Sequence, residues 1–308
     1  VPNRHTPITA PKGHHITTSS NIVEPLSYKK ALATPEALLW QTAMSDEMQS
    51  LKDLCVFESG PLPPYTKALP VKWVFKLKTG EDGKPLRYKA RVVVCGFMQR
   101  DGIDVDETYA PVSKYATLRF LVSHSCTQRI DITHLDIKTA FLNAPLEETV
   151  WCDPPPGSTI APGHKLRLKK ALYGLKQAPR AWNIVLTKTL TTLGFIPSTA
   201  DPCLYTMVTP SGERIFMNTY VDDLFLAAKP SQAKDNIIAG LSKAFAITNL
   251  GIMTNPLGME ITRNPSTGSI LMTQCKLSQS LLEDMKLHVC NLRTLPLDPN
   301  IKLTTPHK

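Results

Sequence analysis

Residues 215–228 read I-F-M-N-T-Y-V-D-D-L-F-L-A-A and carry the clearest structural pattern in the chain. Two apolar runs flank the Asp222-Asp223 pair, which predicts two strands joined by a tight turn. An Asp-Asp pair is most often simply an exposed polar turn. However, an exposed hairpin alternates apolar and polar residues, whereas both arms here are almost wholly apolar. We therefore expect a hairpin that is buried on both faces and carries carboxylates at its tip.

Carboxylates at the tip of a buried hairpin repel one another and lose solvation, so they favour a divalent cation as compensation. A third carboxylate is then expected nearby in space. The candidates lie in I-D-I-T-H-L-D-I at 130–137, an apolar stretch of strand character. Asp136 stands near its end and Asp131 near its start. The residues alone leave both open.

A second alternating stretch, V-K-W-V-F-K-L-K, occupies 71–78. Turn-forming residues follow at 79–83, and the returning segment places Arg87, Lys89 and Arg91 on one face. The pattern predicts a β-hairpin with one packed face and one cationic face. The cationic face is either a solvated surface or a site that binds phosphates.

Apolar spacing elsewhere predicts four helices: from Thr34 and Pro35 along Trp40, Met44, Met48, Leu51 and Cys55; from Pro179 to Gly194; from Ser231, burying Ile238, Leu241 and Phe245; and from Leu277 to Met285. Strand-like runs lie at 130–137, 215–221, 224–228, 257–262 and 269–273. Helices and strands alternate without a regular βαβ rhythm, which indicates an α+β fold.

The composition narrows the class of protein. Lys and Arg total 35 against 26 Asp and Glu, and the net charge of +9 favours a polyanionic partner such as nucleic acid. Seven scattered cysteines without a CxxC pair fit a reducing compartment. There is no signal peptide and no apolar run of ~20 residues, so we expect neither secretion nor a membrane span. A start at Val1 instead of Met is expected for a piece of a longer polyprotein.

Taken together and in order, several motifs resemble the reverse transcriptase domain of copia-type long-terminal-repeat retrotransposons. Y-V-D-D alone would be weak evidence, but L-D-I-K-T-A-F-L-N together with L-Y-G-L-K-Q-A-P-R-A-W is close to diagnostic. The motifs are K-W-V-F-K-L-K (72–78), R-Y-K-A-R-V-V-V-C-G-F-M-Q (87–99), E-T-Y-A-P-V (107–112), L-D-I-K-T-A-F-L-N (135–143), L-K-K-A-L-Y-G-L-K-Q-A-P-R-A-W (168–182), Y-V-D-D (220–223) and L-G-M-E-I (257–261).

The resemblance implies a right-hand polymerase fold with fingers, palm and the start of a thumb, in which an antiparallel palm sheet packs on helices. The corresponding segments are a flexible tail at 1–24, fingers at 25–111, the first part of the palm at 112–146, a fingers insertion at 147–170, the second part of the palm at 171–263, and the start of the thumb or connection at 264–308.

The resemblance also implies roles for individual residues. Asp136, Asp222 and Asp223 would be the catalytic carboxylates, and with the backbone carbonyl of Ile137 they would hold two Mg²⁺ ions, or Mn²⁺ in their place. The nucleotide would be bound by Lys89, Arg91, Phe141, Tyr173, Gly174 and Lys176, and the primer by Gly258, Met259 and Glu260. Phe141 would be the steric gate against a 2′-hydroxyl, although an ordinary core Phe fits the pattern too. Which of Lys89 and Arg91 leads at the triphosphate stays open.

The implied activity is RNA-directed DNA synthesis from dNTPs on a primed RNA or DNA template. The implied partners are the integrase and ribonuclease H parts of a polyprotein. The implied location is a cytoplasmic virus-like particle or the nucleus. The alternative is a catalytically decayed relic that binds primer and template without turnover. Its support is the Val1 start and Pro256, which stands where the family commonly has an aromatic. Ala144, in place of a usual Gly, is a second departure.

Overall fold

The fold was analysed in a computed structural model, which describes residues 23–79, 85–287 and 290. The expected tail therefore lies outside the described residues up to position 22. The same holds for most of the expected turn at 79–83 and for the end of the expected thumb segment, from 291 onward.

The described residues form a mixture of helices, strands and short 3₁₀ turns. The α-helices are α1 (Tyr28–Leu32), α2 (Ala37–Asp53), α3 (Tyr115–Gln128), α4 (Ala178–Thr192), α5 (Gln232–Ala244) and α6 (Cys275–Asp284). The strands are β1 (Phe57–Pro61), β2 (Val71–Thr79), β3 (Pro85–Val94), β4 (Ile132–Ile137), β5 (Pro145–Cys152), β6 (His164–Lys170), β7 (Ile196–Pro197), β8 (Leu204–Val208), β9 (Arg214–Tyr220), β10 (Asp223–Ala227), β11 (Ile247–Ile252), β12 (Glu260–Arg263) and β13 (Ile270–Thr273). The 3₁₀ turns lie at Gly96–Met98, Ala140–Asn143 and Pro256–Gly258.

A six-stranded antiparallel sheet, in the order β11-β4-β10-β9-β8-β7, forms the centre of the molecule. Alternate residues of β10 enter two different cores. Leu224 and Leu226 join the larger one, which includes residues of α4 and α5, while Phe225 joins a second core with residues of α3. The sheet is thus covered on both faces, which is why both arms around Asp222 are apolar. The α+β class and the antiparallel sheet packed on helices are confirmed.

Three smaller sheets surround this centre: β1-β6-β5, β2-β3 and β12-β13. The predicted cationic hairpin is β2-β3, where Lys76 lies opposite Lys89 and Trp73 opposite Val92. Its packed face is buried against α2, and the Trp40 ring meets Phe75 edge to face at 5.2 Å between centroids. The prediction of one packed and one charged face is confirmed.

Several sequence-based boundaries and faces were wrong. Helix α2 ends at Asp53, so Cys55 lies beyond it. The predicted strand at 257–262 begins only at Glu260, because Pro256 opens a 3₁₀ turn and Leu257 has a left-handed φ of 52°. Helix α5 buries Ile237 fully, which was not predicted, whereas the predicted Ile238 is only partly buried against the same core.

The buried face of α5 follows from one close contact. A Cβ atom at Gly240 would lie 2.4 Å from a methyl group of Leu193, so glycine lets this side of the helix approach the end of α4. That approach centres the buried face on Ile237 and Leu241, because residues 237, 240 and 241 share one side of a helix. Apolar periodicity does not count glycine as a packing residue, so the sequence pattern did not indicate this contact.

Helix α3, which the sequence analysis missed, is held at its start by a carboxylate from a distant loop. Asp201 accepts hydrogen bonds from the backbone N–H of Lys114 (3.1 Å), from the hydroxyl of Thr117, and from the N–H of Cys203 (2.9 Å). Asp201 thus caps α3 across 87 residues of chain. Burial raises the pKa of this carboxyl, but the hydrogen bonds from Thr117, Cys203 and Lys114 outweigh it, so that the pKa is lowered overall.

We expect Asp201→Asn to lower the free energy of unfolding by about 1–3 kcal/mol at neutral pH, because a buried charge-assisted cap is lost. A lowered folded-state pKa adds stability above the unfolded pKa of about 3.9, and that stability disappears as the pH falls through the folded value. Urea unfolding at pH 7 and at decreasing pH measures both effects. Asp235→Asn, in the first turn of α5, is the control. An equal loss in both variants, or a loss that does not shrink with acid, would contradict the capping role.

Candidate active site

The Asp222-Asp223 pair lies at the turn between β9 and β10, as the apolar arms predict. Val221 has a left-handed φ of 56°, which is strained for a β-branched residue and costs on the order of 1–3 kcal/mol. The turn is held from outside, because the indole N–H of Trp182 on α4 donates to the Val221 carbonyl at 2.7 Å. The core residue Trp182 therefore also fixes the shape of the acidic turn.

Strand β4 brings Asp136 to the same place. In the β4–β10 ladder Asp136 is the direct partner of Asp223, and the Ile137 N–H donates to the Asp222 carbonyl at 2.8 Å. Asp131 precedes the other end of β4, is exposed, and faces the guanidinium of Arg263 at 3.5 Å. At ~3.4 Å per residue along a strand, Asp131 and Asp136 are separated by roughly 17 Å. Of the two, only Asp136 therefore lies beside the turn.

The pKa of the Asp222 carboxyl shows the combined effect of burial and of the neighbouring charges at this turn. Its pKa is raised, first by burial and then by the charges of Asp223 and Asp136; its own backbone hydrogen bond and the charge of Arg91 act in the opposite direction. All three carboxylates therefore interact electrostatically. Asp222 carries a charge that the protein by itself compensates incompletely.

One neighbour of this corner was not found from the sequence. The Nε2 atom of His134 lies 2.6 Å from Oδ1 of Asp223, and the His134 ring packs on Phe225 at 4.9 Å. The available signal was its position two residues before Asp136, which places both on one face of β4. Among the described residues no group of three His, Cys, Asp or Glu side chains is arranged to hold a metal.

A cavity of about 370 Å³ lies between the cationic hairpin and the acidic turn. Its lining includes five basic and four acidic side chains: Lys78, Arg87, Lys89, Arg91, Lys138, Asp46, Glu47, Asp136 and Asp222. Lys89 is partly buried, and its pKa is lowered by that burial and then by the charge of Arg91. Part of the cationic face thus lines a cleft that it shares with the acidic turn, while Lys78 and Arg87 are themselves exposed.

Three of the predicted nucleotide-binding residues, Arg91, Tyr173 and Phe141, contact one another in a row. The Arg91 guanidinium lies over the Tyr173 ring at 5.0 Å, and Tyr173 meets Phe141 at 5.2 Å between centroids. Gly174 follows with a φ of 92°, and a Cβ atom there would lie 2.1 Å from the Val94 carbonyl oxygen. Only glycine fits this crossing. Phe141 and Tyr173 line different cavities, since Phe141 faces an apolar one beside Trp182 and Val221.

The remaining predicted site residues are engaged elsewhere. Lys176 pairs with Asp101 at 2.7 Å and donates to the Gln99 carbonyl at 3.2 Å. Glu260 caps α6 by accepting from the backbone N–H groups of Cys275 and Lys276 at 2.9 and 3.1 Å. Met259 is buried in the second core. The roles of these residues towards nucleotide and primer stay predictions.

Comparisons with known proteins agree on one family. A family model described as reverse transcriptase (RNA-dependent DNA polymerase) matches residues 56–299. The retrovirus-related Pol polyprotein from transposon TNT 1-94 of Nicotiana tabacum is 36% identical over 284 residues, covering 91% of this chain and 21% of that protein. The corresponding polyprotein from transposon RE1 of Arabidopsis thaliana is 33% identical over 269 residues, covering 86% of this chain and 18% of the relative.

A solved structure of a foamy viral protease-reverse transcriptase in complex with double-stranded DNA is similar with a TM-score of 0.42 and 13% identity, covering 83% of this chain and 38% of that chain. The chain spans about a fifth of the length of the curated relatives named above.

We expect Trp182→Phe to loosen the acidic turn, because it removes the donor to the Val221 carbonyl while keeping an aromatic ring. Amide hydrogen exchange at Asp222 and Asp223 should become faster, and the free energy of unfolding should fall by about 1 kcal/mol. Trp73→Phe is the matched control, since the Trp73 indole donates to the Pro156 carbonyl at 2.9 Å, in another part of the molecule. Unchanged exchange at the turn in Trp182→Phe would contradict this role.

Proposed function

Because the chain belongs to the reverse transcriptase (RNA-dependent DNA polymerase) family of copia-type Pol polyproteins, we propose that it extends a primer 3′-hydroxyl with deoxynucleotides and that Asp136, Asp222 and Asp223 carry this reaction. The observation behind the residue assignment is the strand ladder. It sets Asp136 opposite Asp223 and ties Asp222 to the next residue, Ile137.

Reverse transcriptases use divalent metal ions, and the donors at this turn are of the chemical type that such ions take, although the three carboxylates are not arranged as a closed metal site. Carboxylate oxygens are the ligands that Mg²⁺ prefers, and the raised pKa of Asp222 marks a buried charge that a cation would relieve. We propose that Asp136, Asp222 and Asp223, with the Ile137 carbonyl, hold two Mg²⁺ ions, or Mn²⁺ in their place. Bound there, the ions would supply an activated hydroxyl and charge neutralisation at the phosphate.

His134 has a defined task in this proposal. By holding Oδ1 of Asp223 at 2.6 Å, it fixes the carboxylate plane and leaves Oδ2 for a ligand. A hydrogen-bonded partner that orients a ligating carboxylate is common at metal sites. Trp182 acts one step further out, because it fixes the backbone turn that carries Asp222.

The triphosphate would lie in the cleft below the cationic hairpin. Of the two candidates, we assign the leading contact to Arg91, because its charge acts on Asp222 and its guanidinium is already oriented over Tyr173. Lys89 lines the same cleft and lies two residues before Arg91 on β3. A guanidinium can bind phosphate oxygens in a bidentate manner, whereas an ammonium acts as a point charge.

Phe141 is proposed as the steric gate against ribonucleotides. Its ring packs edge to face on Tyr173, so the two rings form a partition between the charged cleft and the apolar cavity near Val221. A rigid ring at that boundary could exclude a 2′-hydroxyl by contact.

The two departures from the family pattern remove no hydrogen bond from the β12–β13 ladder and strain no backbone at position 144. Pro256 precedes β12 within a 3₁₀ turn, so the N–H it lacks is not missing from the strand ladder. Ala144 is buried with an ordinary φ of −96°, so a glycine is not required there. Active extension is therefore favoured over a decayed relic.

The curated relatives are polyproteins several times longer than this chain. We propose that the chain works on primed RNA or DNA template alongside integrase and ribonuclease H parts, in a cytoplasmic virus-like particle or the nucleus. No helix within the described residues is long and apolar enough to cross a membrane.

We expect Asp222→Asn to abolish Mg²⁺-dependent extension of a primed template by at least about a thousandfold, because a metal-binding charge is lost. The same change should raise the melting temperature in chelator at pH 8, because it removes a buried charge that two other carboxylates repel. Asp131→Asn, whose carboxylate lies at the opposite end of β4, should change neither quantity. Extension that survives in Asp222→Asn would refute the assignment.

We expect Phe141→Val to reduce discrimination between a deoxynucleotide and the matching ribonucleotide by about tenfold, because a smaller side chain admits the 2′-hydroxyl. The ratio of the two kcat/KM values measures this directly. General damage to the site lowers both values equally and leaves the ratio unchanged, which would assign Phe141 to the core. Phe120→Val is the control, since that ring packs on Phe216 at 5.4 Å, towards the second core.

A further inference from the structure

Glu47 on α2 occupies an unexpected place for an acidic residue. It lines the cleft proposed for the triphosphate, together with Lys78, Arg87, Lys89 and Arg91. A carboxylate inside an anion-binding cleft repels the ligand. Its presence therefore calls for a compensating role.

The first role of Glu47 is visible in its hydrogen bond. Its Oε1 atom accepts from the backbone N–H of Val92 at 3.3 Å. Strand β3 pairs only with β2 among the described strands, so this N–H belongs to the free edge of the hairpin. Glu24 does the same on the opposite edge, where it accepts from the Leu77 N–H at 2.9 Å and pairs with Lys76. Two glutamates thus hold the two edges.

The second role distinguishes Glu47 from Glu24. Glu24 does not line the cleft, whereas Glu47 is half-buried in it and faces both Lys89 and Arg91. Burial raises the pKa of Glu47, while the Val92 hydrogen bond and the charges of Arg91 and Lys89 act against that rise. Among the described residues Glu47 forms no ion pair within 4 Å, so its charge acts across the cleft and not through a closed bridge.

The basic residues need such a charge when no nucleotide is present. The like charges of Arg91, Lys78 and Arg87 lower the pKa of Lys89, and among the charges of described residues that act on it only Glu47 favours its protonated form. Asp46, Asp136 and Asp222 also line the cleft, but Glu47 is the described carboxylate whose charge acts on Lys89, so without it the repulsion from Arg91, Lys78 and Arg87 is unopposed at that residue.

Resting on the proposed function, we propose that Glu47 is a positioning residue that stands in for the triphosphate between turnovers. Its carboxylate balances Lys89 and Arg91 while the cleft is empty, and it opposes the triphosphate and the pyrophosphate once either is bound. Nucleotide binding is thereby weakened, and release of pyrophosphate is favoured. The site keeps its basic residues in place at the expense of affinity.

Glu47→Gln tests this proposal, because the amide oxygen still accepts from Val92 while the charge is lost. We expect the Kd for inorganic tripolyphosphate, measured by calorimetry without metal, to fall by about three- to tenfold, as expected for removing one like charge at partly screened range. The KM for dNTP and the inhibition constant of pyrophosphate should fall by a similar factor, whereas kcat should not rise. The effect should shrink with added salt.

Glu24→Gln is the matched control, since it changes the same chemistry on the other edge of the hairpin, outside the cleft. It should leave the tripolyphosphate Kd unchanged. An unchanged or higher Kd in Glu47→Gln overturns the proposal, and so does an equal shift in both variants. If Glu47→Gln behaves like the wild type while Glu47→Ala unfolds more easily, Glu47 is only an edge cap, which also overturns it. Because the binding measurement needs no extension, a failure of the proposed polymerase activity would be seen separately.

Discussion

Antiparallel pairing of β4 with β10 is the constraint on which the rest of the structure depends. It sets Asp136 directly opposite Asp223, where Cβ atoms of paired residues lie ~4.5–5.5 Å apart, and like charges at that distance destabilise a sheet. Asp222 adds a third charge one residue away. This arrangement forms only because both faces of the hairpin are buried in apolar cores, and the burial of Leu224, Phe225 and Leu226 outweighs the repulsion.

Because the carboxylates at the turn repel one another, side chains from neighbouring elements hold the turn in place. The strained Val221 is held by an indole donor from α4, and Asp223 is held by an imidazole from β4. Both supports are side chains that contact the surrounding core, so the protein itself fixes the shape of the acidic corner. Strain and uncompensated charge concentrated at one place are common at functional sites.

The sequence predicted the features with a strict period and missed those that depend on a partner. The hairpin at 71–94 and the buried arms around Asp222 were predictable because a period of two assigns every residue to a face. His134 could not be assigned a role, since its partner Asp223 lies 89 positions away. The same holds for Asp201, whose cap on α3 spans 87 positions. The residues alone left Asp131 and Asp136 both open, the family resemblance favoured Asp136, and the pairing of β4 with β10 places Asp136 beside the turn.

Two family motifs that are distant in sequence, at 87–99 and 168–182, contact each other directly. The Val94 N–H donates to the Tyr173 carbonyl at 2.8 Å, and a Cβ atom at Gly96 would lie 2.0 Å from the Gly174 carbonyl oxygen. Next to this crossing, the Gln99 side chain accepts from the Lys176 N–H at 2.8 Å. The crossing fastens the end of β3 to the loop before α4, and α4 in turn holds the acidic turn through Trp182. The basic residues of β3 and the carboxylates therefore belong to one continuous framework.

Lys176 contributes to this framework through Asp101 and Gln99, so its positive charge is already paired. A substitution at Gly96 or Gly174 would thus displace the cationic wall relative to Asp222 without touching either group.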